Sequence, residues 1–242
     1  MAHDVIVKPL SIYIGFDPRE VTAYHVLCHS ILRQASGPVS FTPLVQSTLR
    51  ANRIYTRKHD AAASTEFSLT RFLVPALSGY KDYALFLDCD MLMCGDVYEL
   101  MSYVYADPGK AVYVCQHDYT PRTDTKFLGQ RNDPYPRKNW SSVMLFNNVF
   151  CPMLTPKFVN QATPAALHRF EWVTNRDIGA LPLAWNYLVG ESNQTEIPPK
   201  NIHWTQGGPW FRDYQDSEHA DLWFRELDLA FTSLNVPKPI GV

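Results

Sequence analysis

No run of about 18 apolar residues occurs anywhere in this 242-residue chain, so no membrane-spanning helix is expected. Positive charge is not in surplus either: 22 Lys and Arg face 24 Asp and Glu, a formal net charge of −2. Such a balance is poorly suited to neutralising a phosphate backbone, and nucleic acid is not an expected partner. Cysteine is sparse. The five thiols, Cys28, Cys89, Cys94, Cys115 and Cys151, are odd in number and scattered, which fits reduced buried thiols better than a disulfide framework. Cys89 and Cys94 lie five apart with no second pair, which argues against zinc. Missing as well are a nucleophile elbow, a P-loop and a Gly-rich dinucleotide fingerprint. No repeat, low-complexity tract or dividing linker is visible. The N-terminal apolar run 12–16 is short and followed by Asp17, Arg19 and Glu20, so it reads as a strand and not a signal peptide. A cytoplasmic location is expected, free or peripheral at the inner face of the membrane. The sequons at Asn139 and Asn193 carry no weight there.

What is present suits one folded domain. Hydrophobic residues make up 46% of the chain, enough for a full core. Aromatics make up 13% and crowd the last third beyond the needs of packing. Many of the 18 prolines follow residue 105 and predict long, shaped loops there.

The pattern opens strand–helix–strand. Residues 12–16 form a short β-rich run, 19–33 carry apolar residues at helical spacing, and 41–45 form a second strand, which implies a parallel sheet. A helix is predicted over 65–77. Residues 83–87, Tyr-Ala-Leu-Phe-Leu, are continuously apolar, as in a central parallel strand. Strands follow at 112–115 and 142–146, helices at 155–167 and 221–229. Residues 118–138 are rich in Pro, Asp, Thr, Arg and Lys and form a long loop of the kind that often carries function.

The strongest chemical signal is Asp88-Cys89-Asp90 at the end of the apolar strand. With 16 Asp in the chain, a pair two apart arises by chance about once, so the context carries the weight. Two charges directly behind Ala-Leu-Phe-Leu are costly unless solvated, paired or metal-bound. Paired carboxylates are hard ligands that suit Mg²⁺ or Mn²⁺, and in open α/β sheets ligands bind beyond the carboxyl ends of strands. His203, in Asn-Ile-His-Trp-Thr-Gln-Gly-Gly-Pro-Trp, is a second candidate. The bare amides of Gly207 and Gly208 can approach a phosphate closely, although taken alone the segment reads more readily as an ordinary Gly-Pro turn. Asp17 is a contact for a base or ribose, or else a helix cap. Arg71 faces a phosphate or snorkels at the core edge. Lys126, Arg131, Arg137 and Lys138 form an anion-binding loop or keep that loop soluble.

In order and spacing, several segments together resemble glycosyltransferase family 8 and its GT-A-fold neighbours. They are Thr70-Arg71-Phe72-Leu73-Val74-Pro75 leading into 83–92, Gly95-Asp96-Val97-Tyr98-Glu99-Leu100, residues 140–147, Leu181-Pro182-Leu183-Ala184-Trp185-Asn186, and 203–210. The resemblance implies a single GT-A, Rossmann-like α/β domain with a mostly parallel central sheet flanked by helices. Its nucleotide-sugar half spans about 1–110 and its acceptor-side half about 111–242. It implies that Asp88, Asp90 and His203 hold Mn²⁺ or Mg²⁺ and that a UDP-sugar is the donor. Transfer retains anomeric configuration, and a saccharide or lipid-linked group serves as acceptor. Asn147 and Asp177 are the polar residues expected on the catalytic side. Gly208 stands where the family commonly carries a Lys, a charge that Arg212 or a loop Lys would supply. A nucleotidyltransferase, a nucleotide-sugar hydrolase and a non-catalytic carbohydrate-binding protein are the alternatives.

Overall fold

Tyr83–Leu87 has no polar side chain to place except its first, and a strand of that kind is stable only with both faces covered. In the computed structural model, which describes residues 8–58, 65–118, 135–191 and 198–231, this strand, β3, lies near the middle of a six-stranded sheet. The other strands are β1 (Leu10–Gly15), β2 (Val39–Leu44), β5 (Val112–Cys115), β6 (Val143–Asn147) and β7 (Ile178–Leu181), and the order is β2-β1-β3-β6-β5-β7. The strands β1, β2, β3, β5 and β7 run one way, and β6 alone runs against its neighbours β3 and β5. The chain is thus a mixed α/β domain with a mostly parallel central sheet flanked by helices. Helix α1 (Val21–Gln34) makes the crossover that lets β1 and β2 pair in parallel, α2 (Gln46–Ala51) follows β2, and α4 (Leu100–Ala106) leads towards β5.

A second sheet of three short strands joins the first. It is built from β4 (Met91–Met93), β8 (Tyr187–Leu188) and β9 (Asn201–His203), in the order β4-β9-β8. Its apolar side forms a separate core of Val26, Leu92, Ile202, Trp204 and Trp223. Helix α7 (Ala220–Phe231) supplies Trp223 and is tied to α1 through Glu226, which accepts from Arg33 Nε at 3.0 Å and lies 2.6 Å from His29 Nδ1. No helix among the described residues is long and apolar enough to cross a membrane.

Two predicted helices differ from expectation for local reasons. The 155–167 helix is two, α5 (Pro156–Gln161) and α6 (Pro164–His168), each capped by a Thr hydroxyl and each with Pro in its first turn. Thr163 is extended (ψ 151°) before Pro164, because the proline ring disfavours a helical residue before it. The 65–77 helix becomes turns, a 3₁₀ stretch at Thr70–Leu73 and the short α3 (Val74–Leu77). Pro75 has no N–H to return to the Arg71 carbonyl, which takes the Val74 N–H instead. The result aims Arg71 inward, its guanidinium between the rings of Phe67 (5.3 Å) and Phe86 (5.0 Å).

Candidate metal centre

The site forms where the two sheets meet. Beyond β3 the Asp88 N–H still bonds the Ser142 carbonyl (3.1 Å), and the chain then leaves the large sheet for β4. There β4 pairs antiparallel with β9, Met91 opposite His203, and the Trp204 N–H extends the ladder to the Asp90 carbonyl (3.0 Å). Asp88 and Asp90, two apart, turn to one side. Their carboxylates and the His203 imidazole offer ligand atoms that all lie within 4.8 Å of one another, and all three residues are buried.

The hydrogen bonds around His203 fix which ring nitrogen faces Asn186. Its Nδ1 lies 2.7 Å from Asn186 Oδ1, and Asn186 Nδ2 donates to the Asn139 carbonyl at 3.0 Å. The amide orientation follows, so Asn186 accepts from an Nδ1–H. His203 Nε2 then faces Asp90 Oδ1 at 3.2 Å and Asp88 Oδ2 at 3.9 Å. Asp90 Oδ1 is buried with no hydrogen-bond partner. A lone pair opposed to two carboxylates is unfavourable without a proton or a cation between them. A divalent cation satisfies all three groups together, and a metal-binding His whose other nitrogen donates to an amide oxygen is oriented as such ligands are. The residues fit the ion.

Arg71 provides the fixed positive charge. Its Nη1 donates to the Ser141 carbonyl at 2.9 Å and stands 2.8 Å from Asp88 Oδ1, close enough for charge attraction though not aligned as a hydrogen bond. Its Nε is buried without a partner. Burial pushes the Asp88 carboxyl up to about 6. The Arg71 charge pulls it down, Asp90 pushes it further up, and His203 and the Ser142 hydroxyl pull it down.

Three residues that sequence reasoning passed over belong to the surroundings. Glu20 is buried, its Oε2 accepting from the Cys89 thiol (3.6 Å) and its Oε1 unpartnered. Burial, then the Asp90 and Asp17 charges, hold its pKa well above the usual carboxylate range. The only hint in the sequence was an acid in the turn after the first strand. His117, two residues beyond β5, has a buried Nε2 without a hydrogen-bond partner, and burial followed by the His203 charge lowers its pKa to about 4. His168 lies 3.0 Å from the Ser141 hydroxyl; burial and then Arg71 lower it to about 3.

Other expected residues lie elsewhere or are occupied. Asn147 ends β6, and because β6 runs against β3 it sits opposite Tyr83, at the start of β3, where its amide donates to the Tyr83 hydroxyl (3.2 Å). Five strand steps of about 3.3 Å separate Tyr83 from Asp88, roughly 16 Å. Asp177 precedes β7 at the same far edge, its backbone carbonyl taken by the Ala111 N–H at 2.8 Å. Neither is brought to the cluster. Asp17 is fully buried and spent on Arg19 (2.6 and 2.8 Å) and the Glu66 N–H (3.2 Å). Burial raises its pKa, and the Arg19 and Glu66 bonds outweigh that and lower it. The Gly207 N–H bonds the Trp204 carbonyl (3.1 Å), and a Cβ at Gly208 would lie 2.1 Å from ring carbons of Trp210. Those glycines serve the turn and the packing of Trp210. Arg137 donates to the Arg169 carbonyl and Asn175, Lys138 is buried near the Tyr135 ring, and Arg212 is exposed. Lys126, Arg131 and the Asn193 sequon lie outside the described residues. A cleft of about 570 Å³, lined by Tyr13, Tyr83, Tyr98 and Tyr105 among others, opens at the far edge, away from the acidic cluster.

No family model matches the chain. Among curated proteins it is 45% identical to "Protein CDI" of Arabidopsis thaliana over 227 residues, 91% of this chain and 87% of that protein. Among solved structures it is similar to the apo bifunctional glycosyltransferase WbbM (TM-score 0.62, 16% identity, 93% of this chain and 50% of that one). It is similar to the glycosyltransferase GlyE of Streptococcus pneumoniae TIGR4 (0.58, 14%, 91% and 60%). It is also similar to the galactosyltransferase LgtC solved with donor and acceptor sugar analogues (0.57, 11%, 95% and 98%). The chain therefore spans half of WbbM and 60% of GlyE, and nearly all of LgtC. At these identities the likeness establishes the GT-A glycosyltransferase fold.

Proposed function

The chain belongs to the same family as protein CDI of Arabidopsis thaliana, and from that premise we propose that it is a metal-dependent glycosyltransferase acting on a nucleotide-sugar donor. The observation that carries the reading is the buried Asp88–Asp90–His203 cluster at the carboxyl edge of a GT-A sheet. Two hard carboxylates and one imidazole suit Mn²⁺ or Mg²⁺. A divalent ion bound there supplies charge for a departing nucleoside diphosphate. Asp88, Asp90 and His203 would hold it, and Asn186 fixes the His203 tautomer. Arg71, with a buried Nε lacking a partner, has a donor to spare for a phosphate or sugar oxygen. No protein nucleophile is assigned.

The finer terms follow the family 8 resemblance. The donor is a UDP-sugar, transfer retains configuration, and the acceptor is a saccharide or lipid-linked group. The chain works in the cytoplasm as one domain, its nucleotide-sugar half about 1–110 and its acceptor half about 111–242. Calorimetric titration with a panel of nucleoside diphosphates and nucleotide sugars, in Mn²⁺ and in EDTA, tests the donor and the metal together. Metal-dependent binding of one nucleotide sugar is expected. Binding without turnover on any acceptor favours the carbohydrate-binding alternative, and wild-type metal-dependent turnover by folded Asp88→Asn and Asp90→Asn proteins refutes the role given to the cluster.

A further inference from the structure

The cleft of about 570 Å³ at the far edge of the large sheet takes no part in the site described above. Its walls come from the start of β1, from Ser78 and the turn into β3, and from Tyr98, Met101 and Tyr105. Tyr83 lies at the opposite end of β3 from Asp88, so a ligand seated here does not touch the metal ligands. Four of the lining residues are tyrosines, each with an apolar face and a polar tip. Two spend their hydroxyl protons on the protein. Tyr13 Oη lies 3.3 Å from Ser78 Oγ, whose one proton goes to the Val74 carbonyl at 2.8 Å, so the phenol is the donor of that pair. Tyr98 donates to the Pro38 carbonyl at 2.5 Å. The other two keep a proton for a ligand. Tyr83 accepts from the Asn147 amide at 3.2 Å, which leaves its own O–H to donate. Tyr105 is 76% exposed, a large ring held open to solvent.

The charges of the lining nearly cancel. Lys8 and Asp82 form an ion pair, and Lys81 is the one lining charge left over. A phosphate monoester carries roughly two negative charges, more than a single lysine offsets. Aromatic faces beside free hydroxyl, ammonium and carboxylate groups instead match a neutral ligand with C–H faces and many hydroxyls. A saccharide ring is such a ligand. Its C–H faces cover tyrosine rings, and its hydroxyls accept from Tyr83 and Lys81 and donate to Asp82. We propose that the cleft is a carbohydrate-binding site separate from the metal centre, and that it holds a unit of a neutral oligosaccharide. On the glycosyltransferase reading above, that oligosaccharide is the acceptor chain, gripped away from its reacting end. Such a grip raises the effective concentration of the reacting end at the metal centre.

The test keeps the metal centre silent. In EDTA and without nucleotide, the full chain is titrated by calorimetry with the hexasaccharides of β-1,4-glucose, α-1,4-glucose, β-1,4-xylose, β-1,4-mannose and β-1,4-galactose, and with UMP. Wild type should bind at least one hexasaccharide. For that sugar, Tyr105→Ala should weaken binding about 10-fold through the lost ring, and Tyr83→Phe about 5-fold through the lost O–H. Tyr105→Ala should leave the melting temperature unchanged, because the ring is 76% exposed, and Asp88→Asn should bind the sugar as wild type does. A wild type that binds no hexasaccharide overturns the inference and leaves the donor reading untouched. Sugar binding that both tyrosine variants keep, or that Asp88→Asn abolishes, places the sugar elsewhere and overturns it too. Binding of UMP alone, lost in Lys81→Ala, makes the cleft an anion site and overturns it as well. Hexasaccharide binding by a chain that binds no nucleotide sugar in Mn²⁺ upholds the cleft and removes the donor reading, and with it the acceptor role.

Discussion

Replacing Asn186 by Leu removes the amide oxygen and the NH₂ group without opening space, and it should act on a metal that the side chain never touches. Asn186 Oδ1 holds the His203 Nδ1 proton at 2.7 Å, and its Nδ2 is anchored to the Asn139 carbonyl at 3.0 Å. That carbonyl belongs to a buried residue in the left-handed region (φ 65°), so the anchor is rigid. Without the acceptor, the imidazole is free to rotate and to place its proton on Nε2, the atom that faces Asp90 at 3.2 Å. The wrong tautomer cannot ligate. Loss of such an orienting partner typically weakens metal binding about 10- to 100-fold, or roughly 1.4 to 2.8 kcal/mol. Titration of the purified protein with Mn²⁺, followed by the electron paramagnetic resonance of the free ion, reads this directly. Asn186→Asp keeps an acceptor for Nδ1–H and should retain most of the affinity, although it loses the bond to Asn139. Equal Mn²⁺ affinity in wild type and Asn186→Leu, with both folded, would show that the hydrogen bond does not set the His203 ligand and refute the argument.

Two further outcomes follow from the same geometry. Asp88 has its carboxyl raised to about 6, chiefly by burial. The folded metal-free protein therefore holds this proton more tightly than the unfolded chain, and the group costs stability as pH rises from the usual carboxylate range through about 6. A cation needs the carboxylate, so the rise in melting temperature produced by Mn²⁺ should be larger at pH 7 than at pH 5; equal rises would refute the coupling. Gly208→Ala should cost about 1–3 kcal/mol, because its Cβ would lie 2.1 Å from the Trp210 ring. Chemical denaturation together with a changed tryptophan fluorescence spectrum checks it, since Trp210 packs against Trp204 and Trp223.

Much of the arrangement was legible in the chain because local rules govern it. Continuous apolar runs mark β3 and β5, the strand–helix–strand opening marks the parallel sheet, and two acids behind a buried strand mark the carboxylates of the buried cluster. His203 could be singled out, but its union with Asp88 and Asp90 depends on β4 pairing antiparallel with β9, a contact spanning more than a hundred residues. Strand direction is the point at which local reading fails. A residue that ends a strand lies at the Asp88 edge only if that strand runs with β3; β6 runs against it, so Asn147 is carried to the far edge. Asp177 comes before its strand and not after it, with the same result. By residue type Asp17 is a ligand contact or a helix cap and Gly208 a phosphate approach or a plain turn; tertiary packing spends the one on Arg19 and Glu66 and fills the space beside the other with Trp210. Glu20, His117 and Asn186 gain their importance from what surrounds them, since burial and unpartnered atoms exist only once distant segments have come together. The sequence by itself determined the fold class and the chemical character of the cluster, because hydrophobic period and charge are properties of neighbouring residues. Which side chains face the cluster was decided by strand direction and packing alone.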